Sequence, residues 1–291
     1  MKQNKTAFSG IELAVVLIII GLLFAGIVTT KGNLFSKAKL NKIISATKNS
    51  PLKDMNELAI WFDVATDESF KNSEMVEDGG ISIWKNIAPQ NYHNINVEQS
   101  NASDQPLFSF DDSDNLPMLS FDGVDDVLIT SDVIYGYQFA KNNQVTVFIV
   151  QKYYDGDNIA IRWGVNSNRF LNHSFYETNN LIYWDFGNTA SGGRISIAPP
   201  SGFSKKWQII TLIRNTNDTG SIRVGGVNLL TSAMADEFDV TASDNLEITN
   251  SATGSSKSDL REMIIFKRAL TDNEINEVEK YLSKKWDINL D

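Results

Sequence analysis

From Leu13 to Val28 every residue is apolar or glycine: LAVVLIIIGLLFAGIV. With Ile11, Thr29 and Thr30 the run approaches the ~20 residues that a membrane-spanning helix needs. Lys2 and Lys5 precede it and Lys31 follows, so basic side chains flank both ends and orient it only weakly. A cleaved secretory signal would have a shorter apolar core followed by a small-x-small site, and TTKGNLF after Val28 fits that poorly. A plain anchor accounts for the length but not for Glu12. A carboxylate near the end of an apolar helix is costly and invites a specific partner.

The remainder of the chain has a different character. At 291 residues the chain has room for one large domain or two ordinary ones. It has no cysteine, so disulfides and thiolate zinc sites are excluded and any exported domain is held by its core alone. Residues 1–50 carry seven Lys and one acid, Glu12, which leaves 19 basic and 35 acidic residues beyond them, a net −16. Phosphate binding needs clustered Lys and Arg, so nucleic acid is excluded as a partner. The acidic balance suits solubility outside the cell, or cation binding.

Beyond Lys31, NLFSKAKLNKIISATKNS reads as an amphipathic helical continuation ended by Pro51, with a boundary at 49–56. From residue 57 short β-type runs alternate with Gly, Asn, Asp and Ser: LAIWFDV, QVTVFIVQKYY, NIAIRWGV, LIYWDF, WQIITLIRN and REMIIFK among them. That spacing predicts an all-β sandwich or barrel. One helix stands out near the end, capped by Thr271 with Glu274 three residues on, and with Ile275, Val278, Tyr281 and Leu282 on its apolar face.

Two family resemblances follow from these residues. AFSGIELAVVLIIIGLL resembles the prepilin signature of type IV pilin-like proteins, with Phe8, Ile11, Glu12 and Leu13 in place, Ala7 where Gly is usual and Gly10 where Leu is common. The resemblance implies cleavage between Ala7 and Phe8 by a prepilin peptidase and places Glu12 fifth in the mature chain. It further implies that Glu12 neutralises a neighbouring subunit's α-amine in a helical filament, where a paired charge is tolerable and a lone one is not. The second resemblance is to concanavalin A-like (laminin-G-type) jelly rolls of bacterial surface proteins. It rests on LAIWFDVATD, ISIWKNIAPQNYHN, LPMLSFDGVDDVLIT, VTVFIVQKY and LREMIIFKRALTDNEINEVEKYLSKKWDI. Trp61, Trp84 and Trp286 lie in these blocks and, with Trp207, resemble recurring tryptophans of the family and look structural; residues 155–250 match weakly.

The expected fold is therefore mainly β: a long N-terminal hydrophobic helix, then a jelly-roll sandwich with a short C-terminal helix. Residues 1–7 would be the leader, 8–50 the membrane and filament helix, and 51–291 the head. The chain would sit single-pass in the inner membrane with its head outside the cytoplasm, then in a pilus or pseudopilus at the cell surface.

Few residues invite chemistry. Asp122, Asp125 and Asp126 could hold calcium through hard carboxylate oxygens, or FDGVDD is a tight turn whose Asp side chains bond backbone amides. Asp111, Asp112 and Asp114 read as a solvated loop. EFDVT at 237–241 resembles a glucanase E-x-D-x-E string but has Thr241 where the second Glu belongs, so half of a carboxylate pair is missing. His93 and His173 have no metal or triad spacing and read as loop residues. Trp163, Tyr176, Tyr183 and Trp184 could stack on sugars, or one ring of each alternating pair fills the core. The resulting expectation is a non-enzymatic pilin-like subunit displaying a lectin-like head that binds a glycan or a surface protein through Trp163, Tyr183 and Trp184. A membrane-anchored carbohydrate-active enzyme on the same fold is the alternative.

Overall fold

The computed structural model describes residues 37–71, 73–89, 95–130, 143–154, 158–164, 168–176, 179–238, 245–249 and 257–291. The chain divides into two compact units, Met1–Lys42 and Ile43–Asp291. Of the first, only helical residues 37–42 are described. Helix α1 covers 37–48, and its residues from Ile43 on belong to the second unit. A 3-10 turn follows at Pro51–Asp54, with the Ser50 hydroxyl accepting from the Leu52 amide.

The strands follow in chain order: β1 (Leu58–Asp63), β2 (Gly79–Gly80), β3 (Ile83–Trp84), β4 (Val97–Glu98), β5 (Leu107–Phe110), β6 (Pro117–Phe121), β7 (Leu128–Thr130), β8 (Val145–Tyr153), β9 (Asn158–Trp163), β10 (Asn168–Tyr176), β11 (Leu181–Asn188), β12 (Arg194–Ile197), β13 (Gln208–Arg214), β14 (Thr219–Val224), β15 (Val227–Ala233), β16 (Leu246–Ile248) and β17 (Ser258–Phe266). Helix α2 (Asp272–Trp286) comes last. The strands build two sheets. One is nine-stranded, in the order β15-β14-β13-β8-β17-β6-β5-β2 with β1 also paired to β17; the other is eight-stranded, in the order β12-β11-β10-β9-β16-β7-β4-β3. The chain crosses between sheets repeatedly, and neighbours such as β8 and β17 lie over a hundred residues apart in sequence. This is a two-sheet sandwich, one of the two architectures that the strand spacing predicted, and it is jelly-roll-like as the second resemblance implied.

Period-2 alternation explains which side chains fill the core. On the nine-stranded sheet one face carries Phe62 against Trp84 (ring centroids 5.2 Å apart) and Arg214 against Phe186 (5.9 Å), both on the inner face of the other sheet. The opposite face carries Trp61, Asp63, Thr211 and Glu262 under α2. Both faces of β1 and β17 are covered, so every residue of each is buried. α2 forms as its sequence dictates. The Thr271 hydroxyl accepts from the Glu274 amide and the Glu274 carboxylate accepts from the Thr271 amide, closing a capping box. Ile275, Val278, Leu282 and Trp286 turn inward.

One buried ionic cluster ties four elements together. Lys285 Nζ of α2 donates to Asp63 Oδ2 of β1 at 2.5 Å and to Glu262 Oε2 of β17 at 2.8 Å. Trp61 and Trp286 donate their indole N–H groups to Glu262, and Thr47 of α1 donates its hydroxyl to Asp63 at 2.6 Å.

The expectation of a long N-terminal hydrophobic helix is corrected. Among the described residues the N-terminal helical segment is α1, a lysine-bearing stretch, and no described helix is long and apolar enough to cross a membrane. The apolar run of residues 13–28, with Ala7, Phe8 and Glu12, lies outside the described residues.

Candidate functional site

The eight-stranded sheet turns Trp84, Trp163, Phe170, Trp184 and Phe186 inward. Its outer face is crossed by a single register row that runs through every strand of the sheet. Ile83 of β3 faces Glu98 of β4, and Glu98 faces Ile129 of β7. Ile129 faces Glu247 of β16, and Glu247 faces Arg162 of β9. Arg162 faces Leu171 of β10, Leu171 faces Asp185 of β11, and Asp185 faces Arg194 of β12. Alternation along each strand puts all eight side chains on the same surface.

The β11–β12 end is rigidly organised. Arg194 grips Asp185 with both Nε–Oδ1 and Nη2–Oδ2 at 2.6 Å, and Arg169 Nε reaches Oδ2 at 2.8 Å. Two guanidinium groups on one carboxylate make a charge-assisted, geometrically fixed set. They close over Asp185 completely, although it points away from the core. The Arg194 guanidinium also lies 4.5 Å from the ring centre of Tyr183, a cation–π stack that pins the half-buried tyrosine on the same face. Mid-row, Arg162 Nη1 stands 3.8 Å from Glu247 Oε2. The β3–β4–β7 end opens into a cavity of 510 Å³ lined by Lys71, Ser82, Ile83, Glu98, Ser100 and Ile129 among others. The whole row combines donors, acceptors and short apolar stretches, the mixture that small-molecule sites use to orient polar ligands.

The aromatic candidates separate. Trp163 is 1% and Trp184 0% exposed, and both sit between the sheets. Trp184 packs edge-on against Phe170 at 5.0 Å and donates Nε1 to the Ile213 carbonyl at 3.2 Å. The expectation that these two rings stack on a ligand is therefore corrected: alternation sends Trp184 inward and Tyr183 outward. Trp61, Trp84 and Trp286 are also fully buried. The side chains of His173 and Tyr176 lie outside the described residues, as do His93 and, in the 237–241 string, Asp239 and Thr241.

Asp122, Asp125 and Asp126 come together, with ligand oxygens all within 4.8 Å of one another. Gly123, at φ 84°, makes the turn; a side chain there would meet Lys257 Cβ at 2.8 Å. Two of the acids bond the turn itself. Asp122 Oδ1 accepts from the Val124 amide and Asp126 Oδ2 from the Asp122 amide, each at 2.7 Å. Burial, with the Asp122, Asp125 and Asp104 carboxylates nearby, pushes Asp126 up to about 6 against that amide bond. The trio supplies three carboxylates, fewer than the roughly six to eight oxygens calcium takes, so carbonyls and water would complete any shell.

The second acidic cluster is not the solvated loop expected of it. Asp111 is buried on the nine-stranded sheet, where Lys152 Nζ donates to it at 2.5 Å and Trp207 Nε1 at 3.1 Å. Burial alone would raise this carboxyl, but the bonds from Lys152 and Ser113 outweigh it and hold it well below the usual carboxylate range. Asp114 bonds Arg261, whose guanidinium lies 3.7 Å from the Trp207 ring centre; only Asp112 of the three is exposed. Sequence reasoning missed Arg162, Glu247, Glu98 and the Arg169–Asp185–Arg194 set. Their one local signal is the alternation in NIAIRWGV and LIYWDF, which puts Arg162 and Asp185 opposite their apolar neighbours.

No protein-family model matches this chain, and no curated protein sequence does. Its fold is similar to that of solved structures. The binding domain of botulinum neurotoxin DC, solved in complex with rat synaptotagmin II, has a TM-score of 0.55 at 14% identity over 79% of this chain and 52% of that one. The receptor binding domain of a botulinum neurotoxin C/D mosaic serotype has a TM-score of 0.53 at 12% identity, covering 77% and 51%. A mutant of Trypanosoma rangeli sialidase displaying trans-sialidase activity has a TM-score of 0.50 at 15% identity, covering 81% and 34%. The chain thus spans about half the length of the toxin chains and about a third of the sialidase chain. At these identities the likeness is one of fold. It corrects the expectation that the chain is not an enzyme, because the same sandwich forms part of an enzyme chain and the architecture gives no ground for excluding catalysis.

Proposed function

We propose that this chain is a carbohydrate-recognition module and that the outer face of the eight-stranded sheet is its ligand surface. The observation that carries the reading is the register row from Ile83 to Arg194, with Tyr183 pinned beside it and a cavity at its far end. A sugar presents hydroxyls in fixed directions and an apolar ring face. Fixed guanidinium and carboxylate groups meet the first, and an aromatic ring or isoleucine floor meets the second. Tyr183→Ala should abolish or strongly weaken binding of the full chain to a glycan array while leaving its thermal midpoint within a few degrees. Glycan binding indifferent to Tyr183 would move the site elsewhere, and an array with no glycan bound would remove the reading.

A specific observation favours a second reading, a carbohydrate-active enzyme on the same surface. Glu98 and Glu247 flank Ile129 in the row, two strand spacings or roughly 9–10 Å apart at Cα. Inverting glycosidases hold their carboxyl groups about 6.5–9.5 Å apart, a separation these side chains can reach. Incubation with the bound glycan separates the two readings: release of reducing ends that is lost in Glu247→Gln marks an enzyme, and an intact glycan marks a binding module.

Display is the other half of the proposal. The AFSGIEL segment lies outside the described residues and supports by its sequence alone a pilin-like export route: cleavage by a prepilin peptidase, pairing of Glu12 with the amine of a neighbouring subunit, and presentation at the cell surface. The mature native chain should begin at Phe8 by intact mass. A native chain still starting at Met1, or one cut after Val28, would rule the route out.

A further inference from the structure

We infer that the cavity at the β3–β4–β7 end of this face binds a primary ammonium group, and that the carbohydrate taken by the surface is an amino sugar with free amines. The inference rests on the carbohydrate reading above and adds the charge of the ligand. Its starting point is an imbalance in the register row. The row holds three carboxylates. Glu247 faces Arg162 and Asp185 faces Arg194, so two of them are matched across the strand. Glu98 lies between Ile83 and Ile129, neither of which can pair it. Among the described residues its exposed carboxylate has no ion pair and no hydrogen bond.

The other polar side chains of the cavity do not supply the missing cation. Lys71 Nζ donates to Ser82 Oγ at 2.7 Å and lies 3.4 Å from Glu74, which also accepts from the Ser82 hydroxyl. Its charge is thus matched within its own side of the cavity. Gln99 is committed as well, donating to the Val127 carbonyl and accepting from the Asn101 amide. What remains open to a ligand is the Glu98 carboxylate, the Ser100 hydroxyl and the apolar floor of Ile83 and Ile129. Lys71, Glu74 and Glu98 together sum to −1. An ammonium group completes that set with charge-assisted hydrogen bonds, while a uronate or sialate would meet repulsion. The volume of 510 Å³ falls within the ~300–1,000 Å³ of small-ligand sites, so a ring can rest on the isoleucines while its amine reaches Glu98. The net −16 of the chain beyond residue 50 draws cations toward this surface.

The test is a calorimetric titration of the full chain, held in detergent, with glucosamine oligomers and with N-acetylglucosamine oligomers of the same length. The deacetylated oligomer should bind about tenfold more tightly, the size of one hydrogen bond to a charged group. Glu98→Gln should erase that preference, bringing the affinity for the glucosamine oligomer down to that for the N-acetylglucosamine oligomer. Glu98 is exposed and bonds to nothing among the described residues, so an unaltered thermal midpoint confirms that the variant folds. Equal affinity for the two oligomers, or a preference that survives Glu98→Gln, overturns the ammonium site while carbohydrate recognition stands. Binding of a neutral or acidic glycan in place of either oligomer also overturns it. Binding of polylysine but of no glycan overturns the sugar itself, and with it the carbohydrate reading.

Discussion

Lys285→Met should destabilise the β-sandwich by about 3–5 kcal/mol, the usual result of removing one partner from a buried ion cluster. The side chain is fully buried and is the cation shared by Asp63 and Glu262. Its loss leaves two carboxylates beneath α2 with only neutral donors: the Trp61, Trp286, Tyr281 and Thr47 side chains and the Ala65 amide. Burial pushes the Glu262 carboxyl up to about 7, opposed by the Lys285 ammonium and reinforced by the Asp63 carboxylate. The sign of the pH dependence follows. A carboxyl with a raised folded pKa holds a proton that the unfolded chain has already released, so this group's contribution to stability falls as the pH rises from about 4.5 to about 7. Asp126, raised to about 6, acts in the same direction. The Lys285→Met deficit should therefore be smaller at pH 5 than at pH 8, where the Glu262 carboxyl has lost its proton. Denaturant unfolding followed by tryptophan fluorescence reads it directly, since Trp61 and Trp286 both bond Glu262. Adding Glu262→Gln to Lys285→Met should recover part of the loss, because one buried charge disappears with the change. A loss below about 1 kcal/mol, or one independent of pH, would mean that solvent reaches the cluster.

Trp184→Ala should cost about 3–5 kcal/mol through the cavity it leaves between the sheets. Phe170 and Phe186 would lose their shared neighbour, and the indole N–H bond to the Ile213 carbonyl, which joins one sheet to the other, would go with it. Any fall in ligand binding should then track the unfolded fraction and be restored at low temperature or with a stabilising osmolyte. Tyr183→Ala, one residue away, should do the reverse: weaken binding and spare stability. Equal stability losses at the two positions would contradict the inward and outward assignment on β11.

Much of this fold is legible from local chemistry. The capping box at Thr271 and Glu274 needs only four residues to recognise, and α2 forms where it says. The strand runs VTVFIVQKY and REMIIFK declare themselves by β-branched density, and both become central strands because neither face tolerates water. The turn at Asp122–Asp126 is equally local. Its glycine and its side-chain-to-amide bonds lie within five residues, so the convergence of its acids is implicit in the string FDGVDD.

The charged residues resist that kind of reading. Asp111 and Asp114 look like a solvated acidic loop until Lys152 and Arg261 arrive from strands 41 and 147 residues further along the chain. Asp63, Glu262 and Lys285 look like ordinary surface charges in sequence, yet form the most buried polar cluster described. A charge becomes buried only when distant elements cover it, and the free energy of that event depends on partners that local sequence does not name.

What the sequence by itself determined is most of the central strands, the C-terminal helix and the β-rich class of the chain beyond residue 57, because hydrophobic periodicity and capping act over a few residues. What only the tertiary structure decided is which polar side chains meet. The row from Ile83 to Arg194 crosses non-local pairings as well as hairpins: β16 lies between β9 and β7, and β7 lies beside β4. Register across such pairings is set by the whole sandwich closing on its core, so Glu98 acquires its two isoleucine neighbours, and its unmatched charge, only once the fold is complete.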